Sequence, residues 1–299
     1  KLLERFSVQG IGLFLTLILA RILSPSDYGT VAIVIVFINL ASVFVDGGLS
    51  TALKKKKDSN NIDYSTIFYS SIVFSIALYS LLYIITPWIA IFLKNDSYVS
   101  MIRFLGIILV FEAINSVQRA YVSKMMLFKK LFYSSFFSLL ISGTIGIYFA
   151  IMGHGVWALI YQYMTSVLVT TIIMWFTVKW RPRLSFSFKR FLALFSYGWK
   201  IFGLNFITMF YLNIRNLIIG KYYSPADLAF FERGHTLSGM VVQNISSSLQ
   251  TILFPVLSNY QDDKMKIKLL VRRSIGVISL LIFPSLVGLI VIARPMVLL

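Results

Sequence analysis

The chain has 299 residues, of which 58% are hydrophobic and only 13% charged, and its mean hydropathy is +0.82. Soluble domains carry about 25% charged residues, so a water-soluble enzyme and a disordered chain are both excluded. Lys and Arg outnumber Asp and Glu by 28 to 11, and there is no cysteine, which excludes disulfides, thiolate metal sites and a cysteine nucleophile.

The apolar excess reads as membrane-spanning helices of about 20 residues each. Phe6–Ala20, between Arg5 and Arg21, is the first span. It starts so near Lys1 that the natural start is expected to lie upstream. Tyr28–Val45 is the second and Tyr64–Leu93 the third, with Pro87 inside it. Tyr98–Ser123 is the fourth and carries Arg103, Glu112 and Arg119. Leu131–Val178 has no charge and is too long for one span; Gly153-His154-Gly155 splits it into the fifth and sixth. Phe195–Ile219, Leu228–Val256 and Ser274–Ala293 complete nine spans. These runs are continuous and twice the length of the alternating strands of a membrane β-barrel.

The connections set the expected orientation. Those after spans two, four, six and eight hold 17 of the 28 cations, whereas the other four hold Arg21, Lys94 and Lys221. By the positive-inside rule the basic loops and the N-terminus are cytoplasmic. The loop after span six, from Arg181 onward, mixes Phe186, Phe188 and Phe191 with cations. It is expected to hold a short helix lying in the interface.

An internal repeat follows from two matched turns. Ser24-Pro25-x-Asp27 comes after span one and Ser224-Pro225-x-Asp227 after span seven, an offset of 200 residues. Each has a cation, Arg21 or Lys221, three residues before its serine. Thr86-Pro87-Trp88 and Arg294-Pro295-Met296 match less closely, at an offset of 208. The unit is therefore six spans, a recurring plan of secondary transporters. Residues 1–180 form the first bundle, 181–194 a cytoplasmic interfacial linker and 195–299 half of a second bundle, with further helices expected beyond it.

Three stretches carry a family resemblance. They are Ala20–Ala32 with Phe44–Leu53, then Asn213–Leu228, then Leu253–Ser258 with Gln261-Asp262-Asp263. In them the chain resembles the polysaccharide-transporter branch of the MOP flippase superfamily, the Wzx-like exporters of lipid-linked oligosaccharides. Many relatives have Asp in the span-seven motif where this chain has Arg215. The resemblance implies an all-α fold of two bundles around a cleft, in a bacterial cytoplasmic membrane. It implies an undecaprenyl-diphosphate-linked oligosaccharide as cargo, with glycosyltransferases and a polymerase of the same pathway as partners. No cofactor and no nucleic acid is implied, and the sequence itself has no Gly-x-x-x-x-Gly-Lys nucleotide loop. Anionic membrane lipids are expected partners of the basic loops.

Charges within hydrocarbon are costly and face a bundle interior or a wet cavity. Glu112 is the deepest, and Asn115 and Arg119 are expected on the same helix face. Glu112 is the first candidate for ion coupling, against a plain structural pair with a cation. Asp46 is the second, although Asp46-Gly47-Gly48 also reads as a helix break whose acid caps the end or pairs with Arg5. Arg5, Arg119 and Arg215 are the candidates for a cationic cleft, because guanidinium matches phosphate oxygens and stays charged. Polar stripes at Asn205 and Thr208, and at Thr236, Gln243, Ser247 and Gln250, suit sugars or interhelical bonding. A multidrug or cation antiporter ranks below this reading, because cations outnumber acids in the spans. A membrane polysaccharide polymerase ranks lower again, because the outer loops are short and two lone histidines make no catalytic constellation.

Overall fold

The structure is a computed structural model. It describes the backbone of residues 2–56, 59–236, 238–239, 242, 246 and 264–298, and side chains from residue 9 to residue 293 within that set except at 264. The described residues are helical, with no strand among them. In chain order the helices are α1 (Leu2–Ile22), α2 (Pro25–Asp46), α3 (Leu49–Lys55), α4 (Asn61–Leu93) and α5 (Ser97–Gly106). They continue with α6 (Ile108–Lys124), α7 (Phe128–Ile151), α8 (Val156–Thr177) and α9 (Phe188–Tyr222). Residues 225–236 form α10, and Lys264–Leu298 form α11.

Among the described residues, seven helical stretches are long and apolar enough to cross a membrane: α2, α4, α5 with α6, α7, α8, α9 and α11. They match seven of the expected spans. In α1 the described apolar stretch, Gln9–Ile22, is shorter. Expected span eight falls mostly outside the described residues. Many large apolar side chains point outward, among them Phe14, Val73, Ile91 and Phe176, as they do on a lipid-facing surface.

Residues Lys1–Ala229 form one compact unit and Phe230–Leu299 another. The lobe boundaries at 180 and 194 rest on the sequence repeat and remain a proposal. In the first unit, α7 and α8 form a hairpin in which Gly146 admits the Gln162 side chain, and Gly143 admits Leu15 of α1. One apolar core is built around Ile33, Ile102, Leu109 and Ile160. A second lies around Leu53, Tyr64, Phe68 and Trp180. Helix α9 packs on α2, α3 and α4. It runs antiparallel to α2, with Gly220 against Ile33 near one end and Gly198 against Gly47 and Gly48 near the other. In the second unit α11 is a 35-residue helix that opens on a run of cations and then becomes apolar.

The helix ends follow local chemistry. Ser24 and Asp27 form a capping box before α2, and Asn60 and Asp63 form one before α4, so α4 begins three residues ahead of the expected span. Gly47 and Gly48 have φ of +50° and +68°, which ends α2 and restarts the chain as α3. Pro87 sits inside α4 without ending it.

The expected short interfacial helix is corrected. Residues 178–187 are non-helical, and α9 then runs unbroken for 35 residues. Pro182 disfavours helix at Arg181. Arg181 donates to the carbonyls of Trp175, Val178 and Trp180 and so caps the end of α8. The segment's own N–H groups are met by α4: Arg183 donates to Ser65 Oγ at 2.9 Å and Ser187 to Thr66 Oγ1 at 3.2 Å.

Candidate functional site

Three elements of the first unit converge on one polar cavity of about 260 Å³. The last turns of α2 give Ser42, Val45 and Asp46; α3 gives Ser50 and Lys54; α6 gives Glu112, Ser116 and Arg119. Each set repeats at helical spacing, so each helix turns one polar stripe inward. The glycine pair brings α3 to the cavity, because it lets the chain leave α2 and come close to the backbone of α9. A Cβ on Gly48 would lie 2.2 Å from the Gly198 carbonyl oxygen.

Glu112 and Arg119 are paired end to end, Nη1 to Oε2 at 3.3 Å and Nη2 to Oε1 at 3.3 Å. They lie seven residues apart, so the long arginine reaches back about two turns. The Arg119 and Glu112 side chains are 43% and 28% exposed, and both contacts are longer than the 2.7–2.9 Å of a tight charge-assisted bond. A pair this open contributes about 1 kcal/mol at most. It holds Arg119 in place yet can exchange for a better partner. Together the lining side chains supply two cations, Lys54 and Arg119, and two acids, Asp46 and Glu112. The cavity is therefore balanced in charge, where the sequence pointed to a positive cleft.

Of the five residues singled out in the sequence, Glu112, Arg119 and Asp46 share this cavity. The Arg5 side chain lies outside the described residues, and with it the expected pair with Asp46. Arg215 is not among the lining residues; it is half-buried on α9 between the buried Asn213 and Asn216. It lies nine residues, about 13 Å along the helix, beyond Phe206, whose ring packs on Phe44 of α2. The expected face of Glu112, Asn115 and Arg119 divides. Ser116 joins the cavity, while Asn115 turns into the core and donates to Thr171 Oγ1 at 2.8 Å. At 100° per residue, Arg119 lies about 20° from Glu112 but Asn115 about 60°. Asn205 and Thr208 are exposed on α9, and Thr208 bonds back to its own helix at Leu204. Lys54 was legible only as one of four consecutive loop lysines, and the serines at 42, 50 and 116 carried no distinguishing motif.

A second charged cluster closes the end of the unit where the basic loops gather. The Asp63 side chain is fully buried and pairs with Lys56 at 2.8 Å and Arg190 at 3.2 Å. Lys124 donates to the Lys56 carbonyl and to Ser59 Oγ, so the ends of α3, α6 and α9 are drawn together around the start of α4. Arg103 instead lies over the Tyr83 ring at 4.0 Å and is held within the α4–α5 contact. His154 stacks on Phe149.

A family described as "Polysaccharide biosynthesis protein" matches residues 18–299. The chain belongs to this family.

Three relatives illustrate the family's range. The succinoglycan biosynthesis transport protein ExoT of Rhizobium meliloti (strain 1021) is 22% identical over 93% of this chain and 56% of its own length. The lipopolysaccharide biosynthesis protein WzxC of Escherichia coli (strain K12) is 20% identical over 96% of this chain and 59% of its own. The teichuronic acid biosynthesis protein TuaB of Bacillus subtilis (strain 168) is 23% identical over 84% and 52%. The chain thus spans little more than half the length of these relatives. Among solved structures it is similar to an inward-facing multidrug resistance transporter of the MATE family in the MOP superfamily. That match has a TM-score of 0.71 and 17% identity, and covers 99% of this chain and 74% of that one. At that identity the likeness shows the fold alone: this family member shares the all-helical fold of that structure.

Proposed function

We propose that this chain acts in a flippase that moves an undecaprenyl-diphosphate-linked oligosaccharide across the bacterial cytoplasmic membrane, by ion-coupled transport and without chemistry on the cargo. The basic end is then cytoplasmic, as is the N-terminus. The relatives' printed names support the cargo class, since three different surface polysaccharides are served by proteins of this family. In this reading residues 1–180 are the first lobe, 181–194 the linker and 195–299 the start of the second lobe.

The observation that carries the proposal is the loose Glu112–Arg119 pair beside Lys54 in a hydroxyl-lined cavity. While Glu112 is ionised it occupies Arg119 and the cavity is neutral. When Glu112 takes a proton, Arg119 is released and the lining carries one net positive charge, with Lys54 and Arg119 against Asp46. A diphosphate oxygen then replaces the carboxylate on the guanidinium fork, and the serine hydroxyls meet its other oxygens. Loss of the proton restores the internal pair and expels the anion. A cavity of about 260 Å³ takes a diphosphate or one sugar ring, so the lipid tail and the rest of the glycan lie outside it. Arg215 and Arg5 would extend the cationic path on either side.

The test is cell-surface polysaccharide in a strain whose own exporter is deleted, complemented by the full-length protein. Arg119→Ala and Lys54→Ala should each abolish or sharply reduce surface glycan at normal protein levels. Full export by the double variant would remove the site. Unchanged surface glycan together with altered drug resistance would instead favour the antiporter reading.

A further inference from the structure

Residues 178–187 are embedded at their start, at Val178 and Trp180, and from Arg183 onward are held to α4 by backbone hydrogen bonds. The odd-numbered Arg183 and Ser187 hold the backbone to Ser65 and Thr66 of α4. The intervening Leu184 and Phe186 are 99% and 55% exposed, whereas Ser185 and Ser187 are half-buried. Phe188, the first residue of α9, continues the even-numbered row at 64% exposure. Three large apolar side chains thus stand clear of the protein on a backbone that cannot turn them inward without breaking its bonds to α4.

The charges around this row fall into two groups. Arg181 is spent on capping α8 and lies over Trp175, and Arg190 is spent on the buried Asp63. Lys179, Arg183 and Lys189 are exposed, and no acid occurs between Val178 and Arg190. The apolar row also continues onto a spanning helix. Phe188 stacks on Phe191, and Phe191 on Phe195, up the side of α9. On the other flank Phe176, near the end of α8, is 80% exposed. Lipid covers such a surface along the spans, and nothing in the described residues interrupts it at the ribbon.

We infer that residues 183–189 form a lipid-docking ribbon on the leaflet at the basic end. Leu184, Phe186 and Phe188 seat at the boundary of headgroups and acyl chains, and Lys179, Arg183 and Lys189 hold the phosphates of anionic lipids. The physical pairing is that of an interfacial anchor, apolar side chains below and cations above. Here it is built on a non-helical segment that bends at Leu184 rather than on an amphipathic helix. The inference does not depend on the cargo: the ribbon would fix the depth of α9 in the bilayer whatever is transported.

The test uses spin labels on single cysteines placed at 184, 185, 186 and 187 in an otherwise cysteine-free full-length protein. The protein is reconstituted in vesicles of phosphatidylcholine alone or mixed with phosphatidylglycerol. Collision rates with oxygen and with a water-soluble nickel chelate report depth. Labels at 184 and 186 should be oxygen-accessible and nickel-shielded, and those at 185 and 187 should not. Nickel accessibility at 184 and 186 equal to that of a label at the loop residue Asn95 would overturn the docking ribbon. In the mixed vesicles, Arg183→Gln and Lys189→Gln should each weaken the seated state about fivefold, the contribution of one cation near an anionic surface. Equal depth of the 186 label in both vesicle types would overturn the anionic-lipid part.

Discussion

Gly29 of α2 lies directly against Pro225, the first residue of α10: a Cβ on Gly29 would fall 1.6 Å from the Pro225 carbonyl oxygen. Both residues belong to the matched turns. Ser24 Oγ donates to Asp27 Oδ2 at 2.7 Å, and Ser224 Oγ to Asp227 Oδ2 at 2.6 Å. The backbone N–H groups of Ser24 and Ser224 donate to the same carboxylates at 2.9 and 3.0 Å. Two helices therefore start from the same cap chemistry, side by side at one end of the bundle. An inverted repeat would have put these turns at opposite ends. Placement at one end is what a parallel repeat of these two turns requires.

Gly29→Ala should destabilise the protein by about 2 kcal/mol, because the methyl group meets backbone that cannot rotate away. Gly203→Ala, on α9 with no atom within 4 Å of the new methyl, serves as the control. It should stabilise slightly, by about 1 kcal/mol or less, through helix propensity. Thermal unfolding in detergent measures both. Equal melting temperatures would mean that α2 and α10 are not in backbone contact.

Asp63→Asn should loosen the end of the bundle where the basic loops gather. The substitution leaves Lys56 and Arg190 without their shared carboxylate, and breaking a buried pair costs about 3 kcal/mol. That is an upper figure here, since the two cations are 38% and 34% exposed. Limited proteolysis reads the local effect. Trypsin should cut after Arg183 several-fold faster in the variant, and Asp63→Glu should restore much of the protection.

Glu112→Gln should increase the affinity of the detergent-purified protein for inorganic diphosphate, since Arg119 no longer has an internal partner. A gain of about fivefold matches the release of a pair worth about 1 kcal/mol. The same variant should fail to complete transport, because the carboxylate that recaptures Arg119 is gone. Arg119→Ala combined with Glu112→Gln should lose the gain. Calorimetric titration distinguishes these outcomes, and an unchanged affinity in Glu112→Gln would separate Glu112 from the anion.

The Asp227 cap should titrate below the ordinary carboxylate range. Hydrogen bonds from the Ser224 side chain and then from its backbone N–H favour the ionised form. The sign follows from linkage: a depressed folded value adds stability above the unfolded value, and this is lost as pH falls through the folded one. Carboxyl NMR of Asp227 should show a midpoint below 3.8, and Ser224→Ala should raise it. An unmoved midpoint in the variant would separate the cap from the titration.

The sequence was most informative where a single residue type decides the outcome. Charge-free runs located the spans, Gly47-Gly48 marked the end of α2, and Ser-Pro-x-Asp marked two helix starts, because each of these signals is local. The cavity was legible only in part. Glu112 and Arg119 stood out as charges in hydrocarbon, and their spacing places them on one face. Lys54 did not stand out, since its direction depends on how α3 is set against α9, a contact between residues 150 positions apart in the chain. The non-helical segment 178–187 was missed for a related reason. Its aromatics and cations suit an amphipathic helix, but Pro182 and the hydroxyls of Ser65 and Thr66 offer the backbone a better set of partners.

The meeting of Gly48 with Gly198 has a mechanical side. Side chains at a helix contact act as a compliant layer that absorbs small rotations by changing rotamer; here the two glycine backbones meet directly, with the Leu49 and Ile201 side chains closing in beside them. Lys55 adds a second tie, donating to the Tyr197 hydroxyl at 2.8 Å. When α9 turns about its axis or slides along it, α3 must follow as though geared to it. Lys54 rides on α3, so displacement of a long membrane helix becomes displacement of one ammonium group at the cavity wall. The position of that ammonium group is thus tied to the posture of α9.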